Sequence, residues 1–172
     1  MSSVESCLMP PDALLLRYQK AGFYTDCYAI EVPITVSFEQ FVLAFYSTKL
    51  FRLERFILKW GVSRPSTDME LAHLASGDGN SFAAWSVEDR VDKQLLLCDF
   101  QGRTRSWLMI TGVDSGSTAR TKLYFGSAVV PVLNRQTGEQ QLGLAFKALL
   151  GFHKLYSVAL LSAAARSLLK AG

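Results

Sequence analysis

Four apolar runs follow one another through the middle of this chain, and a single long helical pattern closes it. Phe82–Arg90, Gln94–Gln101, Thr104–Val113 and Ala119–Val132 are apolar runs separated by turn-forming stretches. Gln101-Gly102-Arg103 reads as a tight hairpin, and Asp114–Thr118 as a longer loop. After residues 134–139, Phe146, Leu149, His153, Tyr156 and Leu160 recur at steps of three and four, with Gly151 as a kink point. Lys147, Lys154, Arg166 and Lys170 mark the wetter side. Strands in succession, rather than alternating βα units, predict an α+β fold: an antiparallel β-sheet wrapped around a long C-terminal helix. The helix is expected from about Gln141 to Leu169. Burial of Phe146, Leu149, Leu160 and Leu168 would drive its docking, at about 1.5–3 kcal/mol for each fully buried side chain.

The first half supplies one strand and shorter helices. Tyr24–Val32 has strand composition and stops at Pro33. Ser37 and Gln40 have capping-box spacing ahead of Phe38, Phe41, Val42 and Phe45. Leu50, Leu53, Phe56, Ile57 and Trp60 form a second helical stripe with Gly61 as its stop. Thr67 and Glu70 make another capping box, opening a helix that ends by Gly77. Two or three shorter helices are therefore expected after the first strand. Residues 1–22, with Pro10-Pro11 and a short apolar stretch, read as an irregular N-terminal segment. Residues 23–172 then form a single domain.

Charge and hydropathy narrow the function classes. Residues 1–119 carry 11 basic and 14 acidic groups, and residues 120–172 carry 7 and 1, for a net charge of +3. The basic end has no Lys/Arg cluster of the kind that neutralises phosphates, so no nucleic-acid partner is expected. The longest charge-free apolar windows, Leu123–Asn134 and Leu155–Ala165, hold 12 and 11 residues. A membrane span needs about 20, so none is expected. No basic-then-apolar leader is visible, and Cys7, Cys27 and Cys98 are an odd number at unrelated spacings. Free buried thiols in a cytoplasmic protein are the expectation.

Few residues suggest chemistry. The phosphate-binding, zinc-protease, C-x-x-C and G-x-S-x-G motifs are missing, and the two histidines lie 80 residues apart. No metal and no cofactor are expected. His153 stands out because it lies on the apolar stripe of the terminal helix, facing a cavity or satisfied as a core histidine. His73 lies in a short polar helix and is expected to be exposed.

Arg105 and Trp107 alternate on one strand and share a face. A two-residue turn at Gly102-Arg103, the preferred register, groups them with Cys98 and Phe100; a three-residue loop groups them with Leu97 and Asp99. Arg105 then anchors an acidic ligand group or pairs with Asp99 or Glu88. Trp85, Phe100, Trp107 and Phe125 either line a pocket or are plain core. Tyr124 and Arg90 carry the same two readings.

The order of strand, early helices, antiparallel strands and long terminal helix resembles the helix-grip proteins of the START-like superfamily, often called SRPBCC. The likeness runs from about Tyr24 to Leu169. Locally, Gly151-Phe152-His153-Lys154, followed by Leu160-Leu161 and Arg166, is similar to bacterial members with a Phe-His pair in the terminal helix. The chain departs in strand count: two short strands usually precede the later sheet, and Phe82–Arg90 alone is clear. The resemblance implies an elongated apolar cavity between sheet and helix, holding a small hydrophobic or amphipathic ligand. It implies no particular reaction.

Three readings follow. The first is a binding module using Trp85, Phe100, Arg105, Trp107, Phe125, His153 and Tyr156, with Trp107, Phe100, Phe125 and the His153 side of the helix around one concave space. The second is a cyclase, dehydratase or isomerase using His153 with Tyr156, Asp99 or Arg105, which must then converge in one pocket. The third is a structural protein with a closed interior, whose outer apolar surface is covered in a homodimer.

Overall fold

The computed structural model describes residues 3–49, 51, 67–115, 118–133, 140–141 and 144–171. Its strands are β1 (Glu5–Ser6), β2 (Tyr24–Val32), β3 (Ser81–Phe82), β4 (Trp85–Val91), β5 (Gln94–Asp99), β6 (Thr104–Ser115), β7 (Thr118–Val129), β8 (Val132–Leu133) and β9 (Gln140–Gln141). The helices are α1 (Leu16–Lys20), α2 (Phe38–Tyr46), α3 (Asp68–Ser76) and α4 (Leu144–Ala171). Seven strands form one antiparallel sheet in the order β1-β2-β7-β6-β5-β4-β3, and β8 pairs with β9 apart from it. The long C-terminal helix packs on α2, β2 and β7, which is the expected α+β arrangement and is compatible with a helix grip.

Local chemistry explains most boundaries. Both capping boxes form: Ser37 Oγ accepts the Gln40 N–H and Thr67 Oγ1 accepts the Glu70 N–H, each at an extended N-cap. Gly77 ends α3 in the left-handed region at φ +98°, where a side chain is strained. The helical stripe at Leu50–Trp60 lies, except for Phe51, outside the described residues. The α4 pattern holds where side chains are described: Ser157, Leu160, Leu161, Ala164, Ala165 and Leu168 are buried at helical spacing, while Lys154, Arg166 and Lys170 are exposed.

Several boundaries differ from expectation: β5 ends at Asp99 rather than Gln101, and α4 runs Leu144–Ala171 rather than from about Gln141 to Leu169. Phe82–Arg90 is two strands, folded at Ala83-Ala84 so that Phe82 faces Trp85, with Ala83 at φ 55°. That hairpin supplies the second short strand ahead of the later sheet. The Asp114–Thr118 loop is shorter than expected, since β6 and β7 pair as far as Ser115↔Thr118. The Ala119–Val132 run stops at Val129, ahead of Pro131, and resumes as β8.

The sheet buries both faces. Tyr28, Ile30, Leu95, Leu97, Leu108, Leu123 and Phe125 point to the inner face, where they meet the helices. Cys27, Leu96, Trp107, Met109 and Ala128 point outward, where Ala13 and Leu15 cover them with partial help from Cys7, Met9 and Tyr18. The N-terminal segment is thus the second layer of the core. No described helix is long and apolar enough to cross a membrane.

Candidate functional site

The β5–β6 connection decides which candidate residues meet. Cys98 faces Arg105 and Leu96 faces Trp107, which leaves a four-residue loop, Phe100–Arg103, rather than a two-residue turn. Asp99 stabilises this loop: its Oδ1 accepts the Arg103 and Thr104 N–H groups at 2.7 and 2.9 Å. The two loop lengths differ by an even number, so Arg105 and Trp107 still share the face of Cys98, as the preferred register required. That face is the outer one. Trp107 is fully buried under the N-terminal segment and its Nε1–H donates to Gln94 Oε1 at 3.0 Å. It points away from α4, which corrects its placement in the cavity. Phe100 leaves the cavity too, since it sits in the loop and is 47% exposed.

Arg105 follows Trp107 outward. Its Nε donates to the Tyr18 hydroxyl at 2.7 Å, its guanidinium pairs with Glu88, and Nη1 donates to the Gly102 carbonyl at 2.9 Å. A bulge between Val87 and Asp89 makes this possible by turning Glu88 outward beside Asp89, which pairs with Arg17. Arg105 is the ion-pair residue of the two readings, with Glu88 rather than Asp99 as partner. Arg90 ties down the end of α3 through Leu74 and Gly79 carbonyls, and Tyr124 packs against the outer cluster.

Five of the seven candidates do converge. Trp85, Phe125, His153 and Tyr156 line a pocket of about 160 Å³ between the sheet and α4, with Phe45, Phe51 and Leu160 as further apolar walls. Thr104, Arg105, Ser106 and Ser127 border its strand side. Two of its lining residues, Trp85 and Ser106, carry buried polar groups. Trp85 Nε1–H is buried and has no hydrogen-bond partner among the described residues. Ser106, whose Oγ is hydrogen-bonded to the buried Tyr46 hydroxyl at 3.0 Å, also belongs to the lining.

His153 sits in a network that sequence reasoning missed. Its Nε2 is 2.8 Å from Ser127 Oγ and 3.2 Å from Asp26 Oδ2. Asp26 Oδ1 accepts both the Ser127 hydroxyl, at 2.7 Å, and the Ser127 N–H, at 2.9 Å. Because Ser127 gives its own proton to Asp26, its oxygen is left to accept from His153 Nε2–H. The Tyr24 hydroxyl donates to Asp26 Oδ2 at 3.3 Å, and burial together with the Asp26 charge pushes the Tyr24 phenol well above its ordinary value. Ser127 and Asp26 share one imidazole nitrogen instead of taking opposite ones, so this is not the geometry of a nucleophilic triad. Asp26 and Ser127 meet through the β2–β7 register, Asp26↔Ser127, across 101 positions of sequence. No motif spacing could announce that pair.

Of the partners considered for an enzyme, Asp99 is engaged in the β5–β6 loop, Arg105 borders the pocket while paired with Glu88 and Tyr18, and Tyr156 shares the pocket with His153. Among the described residues no three His, Cys, Asp or Glu side chains are grouped to hold a metal ion. No family model matches the chain, and no curated protein or solved structure matches it.

Proposed function

We propose that the protein binds a small, mainly apolar ring-sized molecule carrying one hydrogen-bonding group, in the pocket between the sheet and α4. The observation that carries this reading is the space of about 160 Å³, walled by Phe45, Phe125, Leu160 and Trp85, a residue whose Nε1–H is buried and has no partner among the described residues. An apolar cavity of about 150 Å³ holds benzene, whereas sites for drug-sized ligands run from about 300 Å³ upward. The volume favours one ring over an extended fatty chain, narrower than the lipid-like ligand the sequence suggested. A buried polar group left unmade is costly, so a ligand oxygen accepting from Trp85 would gain specificity as well as affinity. The order of elements supports a place among the START-like helix-grip proteins, and the free thiols support a cytoplasmic setting.

Saturation-transfer NMR with phenol, indole and laurate tests the reading. Phenol should bind with a Kd of roughly 10 µM to 1 mM, the range open to so small a ligand. Laurate should bind far more weakly. Trp85→Phe should weaken phenol and spare benzene. Absence of binding by every ring-sized probe would overturn the proposal and favour a closed, structural protein.

A second reading draws on His153. An imidazole held by Asp26 and Ser127 at the pocket edge is placed to move a proton on a bound carbonyl compound. Exchange of solvent deuterium into cyclohexanone, lost in His153→Ala, would support it; equal exchange in both proteins would remove it.

A further inference from the structure

Cys7 and Cys27 are far apart in sequence and adjacent in the fold. β1 pairs with β2 through Glu5↔Ala29 and Ser6↔Tyr28, and the same register sets Cys7 opposite Cys27. The Cys7 N–H donates to the Cys27 carbonyl at 3.0 Å, so the ladder continues through this pair. The two Sγ atoms lie 3.1 Å apart on the outer face of the sheet. Directly opposed residues of an antiparallel pair have Cα atoms about 4.5–5.5 Å apart, inside the range that a disulfide spans. Closing the bond needs a movement of about 1 Å by each reckoning of the final S–S length.

The two thiols are unequal. Cys27 is 5% exposed and Cys7 is only half-buried, and both line a surface groove of about 440 Å³ together with Gln19, Tyr24 and Lys154. The Cys27 S–H bonded to Cys7 lowers the Cys7 thiol, opposed by partial burial and assisted by the Lys122 ammonium. The same bond, together with burial, raises Cys27. A thiolate is the attacking form, so Cys7 is the attacking group and Cys27 the resolving one. Cys98 differs: its thiol donates to the Asp99 carbonyl at 3.3 Å and burial raises it.

We propose that Cys7 and Cys27 form an oxidation site that low-molecular-weight disulfides close into an intramolecular cross-link, stapling the N-terminal segment to β2. Cys7 thiolate attacks one sulfur of the oxidant, forming a mixed disulfide and releasing one thiol. Cys27 then gives up its proton and attacks Cys7 Sγ, which forms the Cys7–Cys27 bond and expels the second thiol. Two protein thiols are oxidised and one small disulfide is reduced to two thiols, so the electrons balance. The cross-link closes the stretch that carries Leu15, which covers Trp107.

The test is incubation of the reduced full-length chain with oxidised glutathione, followed by intact-mass measurement and peptide mapping. The expected product has lost two hydrogens, joins the peptides of Cys7 and Cys27, and leaves Cys98 open to iodoacetamide. Its Tm should rise by about 5–10 °C, as for closing a loop of this length in a domain of this size. Cys27→Ala, which removes the resolving thiol, should instead retain one glutathione on Cys7. Stable glutathione on wild-type Cys7 with Cys27 still reduced would overturn the proposal. So would a link to Cys98, a link between two copies, or failure of Cys7 to react at all.

Discussion

The Asp26 carboxylate receives the Ser127 N–H and hydroxyl on one oxygen and faces His153 Nε2 and the Tyr24 hydroxyl with the other. Hydrogen bonds to a charged group contribute more than neutral ones, and the Asp26 side chain is only 9% exposed. Asp26→Ala should therefore cost about 2–4 kcal/mol in urea unfolding, because the Ser127 N–H loses its partner. His153→Ala should cost less, about 1–2 kcal/mol, since Ser127 and Asp26 keep each other and the ring already borders open space. A loss above 3 kcal/mol would make His153 a core residue. Tyr24 and Tyr28 add a pH effect: burial first, then the Asp26 charge, raises both phenols. The fold holds these protons more tightly than the unfolded chain does, so stability is full below about pH 10 and falls as pH rises beyond it. Tyr24→Phe should flatten that alkaline fall, read from Tm between pH 9 and 11.

Gly126 shows what a strand demands where two layers meet. A Cβ there would lie 2.7 Å from the Asp26 carbonyl, 2.8 Å from Leu15 Cδ2 and 3.0 Å from Trp107 Cε3. The first of these is backbone and cannot swing aside. Gly126→Ala should cost about 1–3 kcal/mol by overpacking and should loosen Leu15 first, visible as faster amide exchange in residues 13–18. Elements of this chain were readable wherever period and capping agree, as at both capping boxes, β2, β6 and the α4 stripe from His153 onward. The β3–β4 hairpin was not, because Ala83-Ala84 is no turn signal; its left-handed residue is held by pairing on both sides. Parity along β6 correctly grouped Arg105 with Trp107 and Cys98. Period two cannot say which of the two faces a distant helix will cover, and that choice removed Trp107 and Phe100 from the pocket. His153, Tyr156, Trp85 and Phe125 were legible as pocket residues because each lies on an inner stripe.

At the scale of the molecule, the sheet is clamped from both sides, and the outer clamp has no hydrophobic period to announce it. Its key is Gln94, a polar residue only 4% exposed. Gln94 Oε1 accepts both the Trp107 Nε1–H and the Leu14 N–H at 3.0 Å, and Nε2 donates to the Asp12 carbonyl at 3.1 Å. One amide thus ties the buried indole of β6 to two backbone groups of the N-terminal segment. Gln94→Leu keeps the volume and strands all three partners, which should cost about 2–4 kcal/mol. The loss should fall unevenly, because the segment can lift away and let water reach its freed groups while the inner core stays closed. Trypsin cleavage after Arg17 or Lys20 should then accelerate by more than the fall in global stability accounts for. Cuts within β5, β6 and β7 should accelerate only in proportion to that fall. Uniform acceleration at all sites would mean that the segment and the sheet unfold as one unit, and that Gln94 is an ordinary core residue rather than the tie between two layers.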